Sequence, residues 1–212
     1  MTRAFISYHH ENDQYYKEEL VRFAKYHSIF TDWSVDTGGI PDWWDDQAIR
    51  REIRDNYLRD STVTILLVGQ ETKYRKHIDW EIYSSMYDGA VSRKSGILVV
   101  QLPGAHNDAY FCSHANEKSY VYPDCGGWHS IETKSGFEGK YPFLPDRIID
   151  NLYAGGSNIS VTTWERISND SANLRFLVDV TASARATAIY DLSRDMRRNN
   201  GSPQPSPTFR LI

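Results

Sequence analysis

Val63-Thr64-Ile65-Leu66-Leu67-Val68 is an almost wholly apolar run that stops at Gly69-Gln70. Six residues is a strand's length, and a run without polar alternation suits a strand covered on both faces. Upstream, Ala4 to Tyr8 is a second short apolar run, followed by the polar stretch His9-His10-Glu11-Asn12-Asp13. Asn12 or Asp13 is expected to cap the helix that follows, because a short polar side chain accepts from the free N–H groups of a first turn. Tyr16, Leu20, Phe23, Ala24 and His27 then recur at helical spacing. Ile29 to Ser34 reads as another strand and Asp36-Thr37-Gly38-Gly39-Ile40-Pro41 as a loop. Asp45 or Asp46 opens a helix that carries Ile49, Ile53 and Tyr57. Downstream, Ile78 to Asp88 reads as a helix ended by Gly89, and Gly96 to Leu102 as a fourth strand ended by Pro103-Gly104. Strands alternating with helices predict an α/β fold: a parallel sheet with helices on both faces.

The remainder is less regular. Residues 104–145 hold eight Gly and Pro residues and no long periodic run. Tyr120-Val121-Tyr122 and Trp128-His129-Ser130-Ile131 flank Pro123 to Gly127 and are expected to pair as a hairpin. Asp170 to Arg198 reads as a long helix, with Leu174, Leu177, Val178 and Thr181 on one side. We therefore expect one domain over residues 1–198. It has a core over 1–103, an insertion with the hairpin over 104–145, and a C-terminal strand and helix over 146–198. Residues 199–212 form a proline-containing tail.

A chain of 212 residues, 40% hydrophobic and 25% charged, is an ordinary globular composition. The net charge of −4 gives no electrostatic support to nucleic-acid binding. No apolar run approaches the ~18 residues of a membrane span, no signal-peptide pattern opens the chain, and two cysteines make no disulfide framework. The expectation is a soluble cytoplasmic protein that meets neither membrane nor nucleic acid. GxxxxGK[ST], GxGxxG and GxSxG are all absent, so ATP hydrolysis, Rossmann-type dinucleotide binding and serine-hydrolase chemistry lack their motifs. A phosphoacceptor receiver would carry Asp at the end of the third strand, where this chain has Gly69-Gln70. Cys112, His114, Cys125 and His129 match no tight zinc spacing, so no metal is expected.

In open α/β sheets, ligands bind where strand ends and helix starts converge. Two segments are expected there: Tyr8-His9-His10, after the first strand, and His77-Ile78-Asp79-Trp80-Glu81-Ile82. Glu81 is expected in the first turn of its helix, where the macrodipole favours an ionised carboxylate. Read from spacing alone, Glu81 is equally a helix-stabilising acid, Tyr8 equally a packing residue, and His9-His10 equally a solvated pair.

Phe5-Ile6-Ser7-Tyr8 on the first strand, the loop after Asp32, and the helix bearing Trp80-Glu81-Ile82 resemble a TIR domain. More narrowly, they resemble the bacterial TIR-like proteins of Thoeris anti-phage defence, the ThsB group. The resemblance covers residues 1 to about 103, continues more loosely through the aromatic Tyr120–Ile131 region and fades beyond 145. It implies a flavodoxin-like sheet and an NAD+ nucleosidase of ADP-ribosyl-cyclase type, with NAD+ as substrate and no separate cofactor. The product would be an ADP-ribose-derived signal nucleotide, a cyclic isomer or a conjugate, that activates a partner effector. A phage component would be the trigger, and active sites shared between protomers are common in such enzymes. Glu81 matches the catalytic glutamate. Tyr8, His9 and His10 would line the nucleotide pocket, with Asp32 to Gly39 flanking it; Trp33, like Tyr8, could stack on nicotinamide. The chain departs from the TIR pattern at His77, where Trp commonly stands four residues before the catalytic Glu. One helical turn from Glu81, His77 would share its face.

One carboxylate suffices for such chemistry. Glycosidic cleavage passes through an oxocarbenium-like state, and a pyridinium leaving group is already cationic and needs no general acid. Two other readings stand beside this one: a TIR scaffold without catalysis that acts by homotypic association, and a nucleoside deoxyribosyltransferase-like enzyme on a related fold.

Overall fold

The computed structural model describes residues 1–34, 41, 43–89, 93–105 and 109–202. The loop expected over Asp36–Pro41 lies largely outside these residues. Among the described residues, five strands form one parallel sheet in the order β2-β1-β3-β4-β5. These are β1 (Thr2–Ser7), β2 (Phe30–Asp32), β3 (Val63–Val68), β4 (Gly96–Gln101) and β5 (Ser160–Thr163). Ile6 pairs with Ile65, and Leu66 with Val99. The parallel α/β sheet expected from the alternation of elements is present, in the flavodoxin-like form that the resemblance implies.

β3 and β4 are buried at every residue, as their apolar runs require. Alternation along the strands then sorts the core into layers. Ala4, Ile6, Ile65, Leu67, Leu98 and Val100 face α1 (His10–Tyr26) and α8 (Ser171–Ala184). Leu66, Val68, Ile97, Val99 and Val161 face α3 (Lys76–Met86) and α6 (Asp146–Ala154). Phe5, on the α3 side, packs with Trp80 and with Ile49 of α2 (Asp46–Glu52), which Asp45 caps and which continues in one wider turn, Ile53–Tyr57. Helix α8 crosses the sheet at Gly96, where a Cβ would lie 2.3 Å from the Thr181 carbonyl oxygen, so only glycine admits that approach.

The second half departs from expectation in two places. Tyr120 and Val121 lie in a short helix, α4 (Glu117–Val121), and no hairpin joins Tyr120 to Ile131. Val121 and Tyr122 are consecutive and both buried, which period-two alternation on a half-exposed strand forbids. The strand-like contact is made earlier, where Phe111 bridges Val161 antiparallel and covers the sheet edge. The helix expected over Asp170–Arg198 is shorter: α8 stops at Ala184, whose carbonyl accepts from the Thr187 hydroxyl and the Asn158 amide. Residues 189–202 then run as a strap over α6 and α3. Trp80 Nε1 donates to the Arg197 carbonyl, Lys76 N to Asn200 Oδ1, and Asn151 exchanges bonds with Asp191. Helix α5 (Lys134–Lys140) packs against α6, and α7 (Trp164–Ser168) packs against α8 on the other face of the sheet. No described helix is long and apolar enough to cross a membrane.

Candidate active site

The strand order reverses between β1 and β3, and in this topology the ligand crevice opens beyond their C-terminal ends. There the side chain of Ser7, the last residue of β1, meets Glu81: its hydroxyl donates to Oε2 at 2.6 Å. Both residues are buried, Glu81 at 3% exposure. The pairing follows from the strand's period. Phe5 and Ser7 project toward α3, whereas Ile6 and Tyr8 project toward α1. One turn further along α3, Ser85 and Thr64 of β3 share a hydroxyl contact of 2.8 Å. Two hydroxyl contacts thus pin the inner face of α3 to the two central strands.

Glu81 is the sixth residue of α3, because the helix begins at Lys76. This corrects the expected first-turn position: Asp79 occupies the first turn, and the macrodipole falls off before Glu81. The Ser7 hydroxyl and burial beside β1 hold Glu81 there.

A second set of polar groups stands at the same edge. His9, and not Asn12 or Asp13, caps α1, its Nδ1 accepting from Asn12 N at 3.2 Å. The neutral ring then carries its proton on Nε2, which lies 3.9 Å from Glu71 Oε2 and has no hydrogen-bond partner among the described residues. Burial, helped by the Arg75 charge, lowers the His9 pKa against the opposing pull of Asp13, Glu71 and Glu11, which favours the neutral ring. Asp13 is buried as well, and that burial raises its pKa. Its carboxylate accepts from Thr72 Oγ1 at 3.4 Å and rests on Gly69, where a Cβ would come within 2.5 Å of Oδ1. Thr72 in turn accepts from Gly69 N at 2.9 Å. A side chain at position 69 would displace the Asp13 carboxylate from the end of β3.

The sequence-derived site residues divide by location. Tyr8 is buried on the α1 side, donates to Gln14 Oε1 at 2.7 Å and stacks on the His10 ring at 4.4 Å. Asp32 is held by Lys17 at 2.9 Å and by the Ser34 hydroxyl and N–H. Ser34 Oγ in turn accepts from Ile6 N, so the end of β2 is tied to β1 one residue before Ser7. Trp33 is 41% exposed and lies under the Arg3 guanidinium, four residues upstream of Ser7. His77 is half-buried, its ring edge-on to Trp80 at 4.9 Å. Ser7 and the Asp13–Thr72–Gly69 group are not among the residues expected from sequence. Ser7 had a readable signal, as a hydroxyl closing an apolar strand in register with Phe5. Asp13 and Thr72 had none, since 59 residues separate them.

Residues 5–107 match the family model described as Thoeris protein ThsB, TIR-like domain. Over residues 5–107 the chain is a TIR-like domain of the ThsB type. No curated protein matches it. The matched segment of this ThsB-type chain runs from Phe5 past the end of β4, so it includes Ser7, the His9–Asp13 group and all of α3 with Glu81. It places the protein among the TIR-type proteins of anti-phage defence. Residues 108–145, with α4 to α8 and the strap, lie beyond it.

Proposed function

We propose that this protein cleaves NAD+ at the nicotinamide–ribose bond and releases an ADP-ribose-derived signal nucleotide, a cyclic isomer or a conjugate, that activates a partner effector. The observation that carries the reading is the buried Ser7–Glu81 pair at the β1/β3 switch point, inside the segment that matches the ThsB family. As the C–N bond breaks, positive charge develops on the ribose and the nicotinamide ring departs neutral. A carboxylate fixed beforehand stabilises that charge without reorganising, and the low dielectric of a buried site strengthens the effect. The Ser7 hydroxyl orients the carboxylate, and the ribose hydroxyls are its natural donors. His9 offers an N–H donor at the same edge for the dinucleotide's phosphates or ribose.

The test is incubation of purified protein with NAD+, with nucleosides as the control, followed by mass spectrometry of the products for wild type and Glu81→Gln. Nicotinamide release that disappears in the variant is the expected result, and the accompanying product names the signal. One observation favours a second reading, a scaffold without catalysis: Glu81 is 3% exposed and already bonded to Ser7, as a purely structural acid would be. Wild type that leaves NAD+ intact even with phage lysate or enforced assembly would select it. Turnover of nucleosides without NAD+ cleavage would point to a deoxyribosyltransferase.

A further inference from the structure

We propose that the pocket between Tyr110–Phe111 and the turn at Cys125–Trp128 is a second ligand site, one that takes a small planar ring bearing a single anionic group. The pocket has a volume of about 370 Å³, at the small end of the range for small-molecule sites. It is built wholly from residues 109–141, beside the edge strand β5, three strands across the sheet from β1 and Ser7. Four Phe, Tyr and Trp side chains line it: Tyr110, Phe111, Trp128 and Tyr141. Trp128 is held in place from three sides. Its Nε1 donates to the Cys125 carbonyl at 3.3 Å, the Tyr122 ring meets it edge-on at 5.7 Å, and the Lys118 ammonium stands 4.7 Å from its ring centroid. A braced aromatic face is a stacking surface for any π-system. Next to it, Gly126 and Gly127 present backbone without side chains, and the space beside Gly126 is open.

Two polar features select the ligand further. Tyr141 lines the pocket at 1% exposure, and its hydroxyl has no hydrogen-bond partner among the described residues. Burial raises the pKa of that hydroxyl, with the neighbouring Cys112 adding to the effect, so it stays protonated and offers a donor. Buried donors left unpaired are rare in folded proteins, and an acceptor on the ligand would satisfy this one. The lining includes the exposed Lys140 ammonium and no Asp or Glu, so its charge favours an anion. Nucleoside monophosphates and aromatic carboxylates share this chemistry. The site stands apart from the Glu81 crevice and does not depend on the reaction proposed there.

The test is calorimetric titration of the full chain with adenosine monophosphate and, separately, indole-3-acetate, using ribose 5-phosphate and acetate as ring-free controls. At least one ring probe is expected to bind with a Kd of about 1 mM or tighter and the controls much more weakly; the probe that binds names the source. Trp128→Ala should abolish binding. Tyr141→Phe keeps the ring and the fold, and should weaken binding about tenfold, the loss of one hydrogen bond. Near-UV circular dichroism checks that both variants fold. Failure of both ring probes to titrate, binding of the controls as tight as the probes, or binding that survives both substitutions would overturn the proposal.

Discussion

Asp79 and Glu81 leave the same helix two residues apart and enter different surroundings. On the outer side of α3, Asp79 accepts from Arg147 Nε at 2.9 Å and Nη2 at 3.0 Å, and from Arg197 N at 2.8 Å. Arg147 is fully buried, lies over the Tyr83 ring and also donates to the Arg194 and Asp195 carbonyls. That arrangement joins α3, α6 and the strap, with donors of matching charge and bidentate geometry. On the inner side, Glu81 is approached by a neutral serine hydroxyl at the mouth of the switch point. A carboxylate paired with arginine has its charge compensated within the fold. On the function proposed above, the carboxylate held by Ser7 at the sheet edge is the one that meets a developing cation on a bound ribose. Glu117 gives a third case: buried, it accepts from Ser113 N, His114 N and the Ser160 hydroxyl, tying the insertion to β5. Three neutral donors within one loop and one strand describe a structural acid.

If the outer side of α3 is structural, breaking it should have the largest effect on stability. Asp79→Ala leaves Arg147 buried without its counter-ion, a change that typically destabilises by about 3–5 kcal/mol. The strap over residues 189–202 should loosen with it. Chemical denaturation measures the first effect, and hydrogen exchange at Arg194 to Arg198 the second. A loss under 1 kcal/mol would mean that the pair does not anchor the strap and would remove the contrast with Glu81.

On the inner side the order of effects should invert. Glu81→Gln is expected to lower NAD+ cleavage by about 10²–10³-fold, the range for removing one preorganised electrostatic group from a transition state. The midpoint of unfolding should move little, because an amide oxygen still accepts from Ser7. A large fall in stability with activity retained would make Glu81 structural and exchange the roles of the two acids. Ser7→Ala should act more mildly, lowering turnover about tenfold through loss of one hydrogen bond to the carboxylate. Its signature is a fall in kcat at nearly constant KM, since Ser7 orients the acid and does not itself hold substrate.

The sequence disclosed these two sides unequally. The sheet was legible because β3 and β4 are continuous apolar runs, and the helix bearing Glu81 because its segment stands between them. Glu81 itself stood out through the family resemblance; periodicity alone left it an ordinary helical acid. The helix start was read two residues late, since Lys76 and His77 are polar and no side chain caps that end. The Asp79–Arg147 pair spans 68 residues and the contacts of the strap with α3 more than 100, so no local pattern announces them. The expected hairpin failed for a related reason. Turn residues around Pro123 suggested two strands, but the buried Val121–Tyr122 pair is dictated by the core beneath it, which only the assembled fold supplies.

The smallest effect concerns Glu117 and tests whether its surroundings are structural. Burial raises its pKa above the usual 4.5, against the pull of Ser160 and the two backbone donors. A raised pKa means that the folded state binds a proton more readily than the unfolded chain between the ordinary glutamate value and the raised one. Through that window stability falls as pH rises, and above it the full effect of burying the charge is felt. Glu117→Gln has no such charge. Relative to the variant, wild type should therefore lose stability on going from about pH 4.5 toward neutrality, by a modest amount because three donors offset part of the desolvation. Urea midpoints of the two proteins at pH 4.5, 6 and 7.5 measure the difference. A gap of the opposite sign would mean that the donors outweigh burial, so that Glu117 holds its charge stably and belongs, with Asp79, to the compensated acids.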